Sequence, residues 1–175
     1  MQSVILKDTD QAGELRGLFE KQLKEVYWAE GAMVALLNSI IMQAGSKDLV
    51  AVLQEHVTDT ARHVTRLEMV FGSIGIPVEA ICYGAVECLI KEAESFIEIT
   101  RPGVVRDAGI IAVLQKIKHY EIACYGTMRA YALALKEEDV VVLLETTLEE
   151  EKEADLLLSA IAESHINTEA ADKEI

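Results

Sequence analysis

Aromatic residues, prolines and basic residues are all scarce in this sequence. Aromatic residues make up 5% of its 175 positions, and there are two prolines. Leu, Ile, Val, Ala and Glu dominate instead, a composition that favours packed helices over a sheet. Sixteen basic residues stand against thirty acidic ones, which gives a formal net charge of -14. Because so acidic a surface repels nucleic acids and anionic membranes, neither is expected as a partner.

Long apolar runs, a signal peptide and paired cysteines are also lacking. The apolar run Val140–Leu144 ends at Glu145, far short of a membrane span. The first residues, Met1–Asp8, have neither the basic start nor the apolar core of a signal peptide. The cysteines are odd in number and have no metal-binding spacing, which is typical of reduced thiols; they are Cys82, Cys88 and Cys124. We therefore expect a cytoplasmic protein.

Apolar residues recur with the period of a helix along four long segments. Short turns join the first segment to the second and the third to the fourth, whereas a long link joins the second to the third, as in ferritin-like bundles. The sequence therefore predicts an all-α, ferritin-like antiparallel four-helix bundle with a long crossover containing an extra short helix. We expect one domain over residues 1–175, with a polar, frayed tail from about His165. The predicted helices are about Asp10–Ala44, a second from the N-cap Ser46 to Gly72, the short Glu79–Glu98, Val105–Leu135 and Val140–Glu163.

Each long helix interrupts its apolar stripe with ionisable residues near the middle of its length. Antiparallel packing would bring these interruptions to one level inside the bundle. A buried carboxylate costs several kcal/mol unless it is compensated, and clustered carboxylates also repel one another. A divalent cation removes both penalties. The interrupting residues are Glu30 on the first helix, His56, Asp59 and His63 on the second, Glu121 on the third, and Glu151 and Asp155 on the fourth.

Carboxylate oxygens and imidazole nitrogens with open positions suit iron or manganese better than calcium or structural zinc. Ferritin-like di-iron sites take a Glu from two helices and Glu-x-x-His from the other two. Here the second and fourth helices offer His56-x-x-Asp59-x-x-x-His63 and Glu151-x-x-x-Asp155 instead. We predict that the seven residues bind iron, as one ion or two, with manganese as the alternative metal. Taken singly, each has a simpler explanation, such as a core carboxylate paired with Tyr or Arg.

The same stretches of sequence resemble the YciE/YciF family of bacterial ferritin-like proteins, over about residues 15 to 167. The resemblance implies a ferritin-like bundle, a homodimer, a di-iron centre, ferroxidase-like activity and an association with stress responses. The segments that carry it are Leu18-Phe19, Val26-Tyr27-Trp28-Ala29-Glu30, Glu55-His56, Thr60, His63-Val64, Arg66-Leu67-Glu68, Arg106-Asp107-Ala108, His119-Tyr120-Glu121-Ile122-Ala123, Tyr125-Gly126-Thr127, Leu148 to Glu151 and Asp155.

One departure from the family leaves the function open. Members have Glu-His-Tyr-Glu on the third helix, whereas this chain has Lys118-His119-Tyr120-Glu121. An ammonium group there opposes metal binding and is expected to pair with Glu30 or Glu151. One hypothesis is therefore a ferritin-like metal-binding protein that acts as a di-iron ferroxidase or other oxidoreductase in the stress response. The alternatives are a non-catalytic dimeric helical protein whose metal site is degenerate, holding one ion or none, and a metal buffer or store.

Overall fold

The helical periodicity of the sequence is realised in a computed structural model, which describes residues 14–172 and contains no strand in that range. The predicted all-α bundle of four long helices, with a long crossover that contains a shorter helix, is confirmed. The helices are α1 (Leu15–Ile41), α2 (Lys47–Ile74), α3 (Gly84–Ile99), α4 (Val104–Ala134), α5 (Glu138–Ile161) and α6 (Asn167–Asp172), with a π-helical turn at Ala162–Ile166 before α6. The predicted beginning of the first helix near Asp10 lies outside the described residues.

The two ends of α2 follow from residues that cap helices. The Ser46 hydroxyl accepts a hydrogen bond from the backbone N–H of Leu49 at 3.4 Å, which confirms the predicted N-cap. At the other end Gly75 takes the left-handed conformation, with φ of 73°, and its N–H bonds back to the Gly72 carbonyl. A residue without a Cβ adopts that conformation at no steric cost.

The crossover helix α3 begins five residues later than the sequence predicted, at Gly84 instead of Glu79. The preceding segment is held extended against α1, because the Ile81 N–H donates to the Lys24 carbonyl at 3.1 Å. The side chains of Lys24 and Glu79 add an ion pair of 2.5 Å. Contacts with a neighbouring helix thus override the local helical preference of this segment.

Four long helices form the square of the bundle, in which each packs against two neighbours: α1 against α2, α2 against α5, α5 against α4, and α4 against α1. Outside the square, α3 packs on α4 at Gly109, where an added Cβ would lie 1.7 Å from Cζ of Phe96. Asp107 at the start of α4 accepts hydrogen bonds from the backbone of Gly45 and Ser46, at 2.8 and 2.9 Å. That carboxylate fixes the turn between α1 and α2 against α4.

The buried apolar side chains form two clusters, one towards each end of the bundle. Met33, Leu53, Ile117 and Leu158 belong to the first cluster, and Val26, Leu67 and Leu148 belong to the second. On every long helix the ionisable residues of the apolar stripe fall between these clusters. The interior therefore consists of two apolar layers with an ionic layer between them.

The predicted frayed tail from His165 is wrong for the residues that the structure describes. The chain continues as helix to Asp172 after the π-helical turn, and Ile166 is fully buried in the first apolar cluster. One apolar residue in a polar segment has no visible period, which is why the sequence pattern missed it. None of the helices within residues 14–172 combines the length and hydropathy of a membrane-crossing segment.

Candidate metal centre

The ionic layer brings together one stretch of each long helix. Glu30 of α1 lies one turn after Val26 and one turn before Met33, so the helical period that buries those residues also buries the carboxylate. The same holds for His63 of α2, Lys118 and Glu121 of α4, and Glu151 of α5. All five side chains are at most 1% exposed. The ionisable groups of the four helices thus meet at one level.

Glu30, His63 and Glu151 form a group with metal-binding geometry, since one ligand atom from each lies within 4.8 Å of the other two. Nδ1 of His63 is 3.0 Å from Oε1 of Glu151 and 3.5 Å from Oε1 of Glu30. Ligand atoms that bind one ion at about 2.1 Å and at right angles are about 3 Å apart. The spacing of these three side chains is therefore that of neighbouring ligands around one ion.

Several polar atoms of this group have no hydrogen-bond partner although they are buried. They include Oε2 of Glu30, Oε1 of Glu151 and Nδ1 of His63, which approaches the carboxylates without hydrogen-bond alignment. A buried polar atom that lacks a partner costs about 1–3 kcal/mol, and more if it is charged. A cation held between these atoms would satisfy all three, so the residues present fit a bound metal ion.

Lys118 occupies the other half of the layer. Its ammonium Nζ donates to Oε2 of Glu151 at 2.5 Å and lies 2.7 Å from Oε2 of Glu121. Burial by itself would lower the pKa of Lys118, but the charges of Glu121 and Glu151 outweigh it and raise the pKa. Lys118 therefore stays charged. Of the two predicted alternatives the pair with Glu151 is present, and Glu121 is a further partner that was not predicted.

The two carboxyls beside Lys118 differ in their protonation. Burial would raise the pKa of Glu151, but the Lys118 ammonium and His63 lower it to about 2. At Glu121 burial prevails over Lys118, and the charges of Glu151 and Glu30 add to it, so the pKa lies well above its usual value. Glu151 is thus ionised at neutral pH, whereas Glu121 holds its proton more strongly than an ordinary carboxyl.

Both ring nitrogens of His63 are in contact with carboxylates. Its Nδ1 faces Glu30 and Glu151, and its Nε2 lies 2.9 Å from Oε2 of Glu150. Burial would lower the pKa of His63, but the adjacent carboxylates of Glu151 and Glu30 and their negative charges raise it to about 10. Without a metal ion the imidazole is therefore protonated and supplies a second positive charge to the layer.

Tyr125 and the Glu150–Arg66 pair support these ligands, and none of the three was among the predicted site residues. The Tyr125 hydroxyl donates to Oε1 of Glu30 at 2.5 Å. Arg66 holds Glu150 with hydrogen bonds of 2.8 and 3.2 Å and donates to Thr147 at 2.6 Å. Arg66 follows His63 by three residues, a spacing that places both on one helix face. That spacing is the signal that could have identified Arg66, whereas Glu150 lies in an acidic run of a kind that is typical of a solvated surface.

Four of the seven predicted ligands lie outside the Glu30, His63 and Glu151 group. His56 is buried, yet neither of its ring nitrogens joins that group. Asp59 is partly exposed and pairs with Arg62 at 2.6 Å. Asp155 lies near the surface, where its Oδ1 is 3.7 Å from Nε2 of the exposed His119. Glu121, the fourth predicted residue outside the group, has Lys118 as its partner.

The chain matches the family model described as a domain of unknown function (DUF892) over residues 14–171. It is 33% identical to protein YciF of Escherichia coli strain K12 over 160 residues, which cover 91% of this chain and 96% of YciF. The predicted relationship to the YciE/YciF family is therefore confirmed.

The fold is also similar to solved structures of related proteins. The crystal structure described as that of the Escherichia coli stress protein YciF has a TM-score of 0.85, covering 89% of this chain and 98% of that chain at 33% identity. YcfI of Rhodopseudomonas palustris has a TM-score of 0.82, covering 87% and 97% at 36% identity. A Xanthomonas campestris protein of 17% identity, with a TM-score of 0.69 over 92% and 99%, shares the fold alone. By its full-length match and by these relatives, the chain belongs to the DUF892 family.

Proposed function

We propose that this protein binds a single divalent metal ion, iron or manganese, through Glu30, His63 and Glu151. The observation that carries the proposal is the convergence of these three ligand atoms within 4.8 Å, in a buried layer where they lack hydrogen-bond partners. Two carboxylate oxygens and one imidazole nitrogen are a donor set that suits iron or manganese. An iron or manganese ion bound there supplies redox or Lewis-acid chemistry.

Lys118 limits the site to one ion in this proposal. A second ion would need the oxygens of Glu121 and Glu151 that the ammonium already contacts, at 2.7 and 2.5 Å. The ammonium would also repel a divalent ion placed at that distance. The fixed positive charge of Lys118 thus takes the position of a second cation.

A single ion argues against the di-iron ferroxidase that the family resemblance implies. A two-metal site holds the ions about 3.5–4 Å apart and acts on both sides of the reacting group, which one ion cannot do. We therefore propose metal binding and sequestration in place of two-iron oxidation. Since the Escherichia coli relative is described as a stress protein, we extend the proposal to a role in stress.

A second candidate function is a non-catalytic helical protein whose ionic layer holds no metal. The observation in its favour is that two positive charges are already present, on Lys118 and on His63, whose pKa is raised to about 10. These can balance two carboxylates without a metal ion. In that protein the layer would be an ion-pair network that serves stability alone.

Metal stoichiometry separates these candidates. Purified protein is dialysed anaerobically against Fe(II), and in parallel against Mn(II), and metal per chain is measured by plasma mass spectrometry. After a final dialysis against metal-free buffer, which removes weakly held ions, we expect one ion for the wild type, two for Lys118→Glu, and one for the control Lys116→Glu, which makes the same charge change at an exposed position. Metal at background in the wild type would refute the metal-binding proposal and support the ion-pair network. One ion in Lys118→Glu would refute the role given to Lys118.

Cytoplasmic localisation and homodimerisation are proposed as well. The three cysteines of the described chain are free, which suits a reducing compartment. Trp28 is only partly buried and lies off the core stripe of α1, so its ring is available to a second copy. Light scattering coupled to gel filtration would test the dimer, and a monomer at micromolar concentration would contradict it.

A further inference from the structure

An acidic cleft opens between α2 and α5, beside the buried layer. Its volume is about 240 Å³. Four carboxyl groups line it, Glu55 and Asp59 from α2 and Glu150 and Glu153 from α5, together with the guanidinium of Arg62. A cleft lined by charges of one sign concentrates counter-ions, here cations.

Only two of the four acids form ion pairs with basic residues of the described chain. Asp59 pairs with Arg62, and Glu150 pairs with Arg66 and His63. Glu55 and Glu153 form no ion pair with any residue of the described chain. Two wall carboxylates are therefore available to a cation, and the four acids outnumber the one guanidinium of the lining.

His56 lines the same cleft with an imidazole that has no partner. Its side chain is 3% exposed, and neither Nδ1 nor Nε2 forms a hydrogen bond within the described chain. A buried ring with two unpaired nitrogens is costly unless a ligand or water satisfies it. A neutral imidazole nitrogen beside carboxylates is a typical ligand set for a transition-metal ion.

The cleft and the buried centre meet at the His63 ring. Glu150, which lines the cleft, contacts Nε2 of that ring at 2.9 Å, while Nδ1 on the other side faces Glu30 and Glu151. His56 precedes His63 by two helical turns on the same face of α2. The Glu150 carboxylate and the His63 ring thus link the cleft to the buried centre.

We propose that this cleft is a second divalent-cation site, with a His56 nitrogen as its inner ligand and the carboxylates of Glu55 and Glu153 as outer ligands, through which a cation reaches the buried centre. The site itself stands on the cleft and on His56, whereas the transfer to the centre rests on the proposed metal-binding function. The ligand is a divalent transition-metal ion, since the donors are nitrogen and oxygen.

Paramagnetic Co(II) tests both parts separately. The protein is labelled with ¹⁵N-histidine in a His119→Gln, His165→Gln background, so that the only ring signals are those of His56 and His63. In a Co(II) titration we expect the His56 signals to shift or broaden at the lowest additions, before those of His63. The rate at which the His63 signal is lost measures loading of the buried centre.

Matched pairs of charge variants test the route. Glu55→Gln with Glu153→Gln removes two charges from the cleft, whereas Glu94→Gln with Glu98→Gln removes two exposed charges on α3. Because like-charged clefts raise association rates by about 10–10³-fold, we expect the cleft pair to slow Co(II) loading about tenfold or more. The control pair should change the rate less than about twofold, since its charges lie outside any such cleft.

Each outcome of the titration decides a part of the proposal. Perturbation of both histidines, with slower loading in the cleft pair, supports the site and the route. Perturbation of His56 alone supports the cleft site and refutes the buried metal centre. Perturbation of His63 alone, or equal rates in both pairs, overturns the cleft inference while the buried centre stands. If neither ring responds to Co(II), both proposals are refuted.

Discussion

The two halves of the ionic layer balance their buried carboxylates with different kinds of positive charge. Both must bury carboxylates in an apolar interior, and both share Glu151. On one side Lys118 provides a permanent positive charge that contacts Glu121 and Glu151. On the other side His63 provides a positive charge to Glu30 and Glu151 that depends on a bound proton.

The difference between a permanent and an exchangeable charge is the reason that we propose metal binding in one half only. Lys118 cannot release its proton near neutral pH, because its pKa is raised. In the proposed function His63 exchanges its proton for a metal ion, and both place positive charge at the same Nδ1 between the same carboxylates. Metal binding at His63 should therefore release a proton, since imidazole ligands must be neutral.

Removing the permanent charge should have the largest effect. We expect Lys118→Met to lower the free energy of unfolding by about 3–5 kcal/mol, because it leaves buried carboxylates without their counter-charge. The measurement is urea denaturation of metal-free protein in a chelator. The control Lys116→Met breaks the exposed pair of Lys116 with Glu92 and should cost less than about 1 kcal/mol. Equal stability of the two variants would mean that Lys118 does not hold the layer together.

Removing the charge of His63 by raising the pH should have the next largest effect. His63 has a pKa of about 10 in the folded chain and about 6.5 in the unfolded chain, so its contribution is full below pH 6.5 and is lost towards pH 10. The free energy of unfolding in a chelator should fall by roughly 2 kcal/mol between about pH 7 and pH 9. His63→Gln should abolish this slope.

The companion histidine provides the control for this pH dependence. Burial and the Lys118 charge lower the pKa of His56 to about 3. Its contribution is therefore complete above the unfolded pKa of about 6.5 and is lost only as the pH falls towards 3. His56→Gln should leave the alkaline slope unchanged. An alkaline slope that survives in His63→Gln would assign it to another group.

The common level of the ionisable residues could be predicted from the sequence. The pairs that they form could be predicted only in part. Helical periodicity alone places Glu30, His63, Glu121 and Glu151 inward, because each replaces an apolar residue of a stripe. Asp59 lies at the edge of its stripe, and its carboxylate pairs with Arg62. Asp155 lies on a stripe one turn after Glu151, but its side chain is partly exposed and its Oδ1 is 3.7 Å from Nε2 of His119.

Pairing across helices depends on side-chain reach and on which helices are adjacent. Lys118 could reach either Glu30 or Glu151 by its position on α4, and periodicity does not distinguish them. The hydrogen bond from Tyr125 to Glu30 and the late start of α3 have the same origin. Each is decided by a contact between distant segments, for which a single sequence carries no periodic signal.

A smaller effect is expected from removing the Tyr125 hydroxyl, which supports Glu30 in the half of the layer that contains His63. Tyr125→Phe removes the hydroxyl that donates to Glu30 and should cost about 1.5–3 kcal/mol, as hydrogen bonds to charged groups do. It should also weaken Co(II) binding by roughly 10-fold, because the ligand loses its orientation. Tyr27→Phe is the matched control, since Tyr27 donates to the exposed Glu68 and should cost less than about 1 kcal/mol. Equal Co(II) affinity in both variants would remove Glu30 from the ligand set.

The smallest effect is expected at Glu121, although it is as buried as Glu151 and contacts the same ammonium. Burial raises the pKa of Glu121 well above its usual value, which disfavours its charged form, and glutamine has the shape of the neutral carboxyl. Glu121→Gln should therefore change the free energy of unfolding by less than about 1 kcal/mol, whereas Glu151→Gln should cost about 3–5 kcal/mol because it removes a charged partner of Lys118 and His63. Urea denaturation of both variants in a chelator measures the difference. If the two cost the same, the layer holds a third buried negative charge, and the neutralisation by Lys118 and His63 is incomplete without a metal ion.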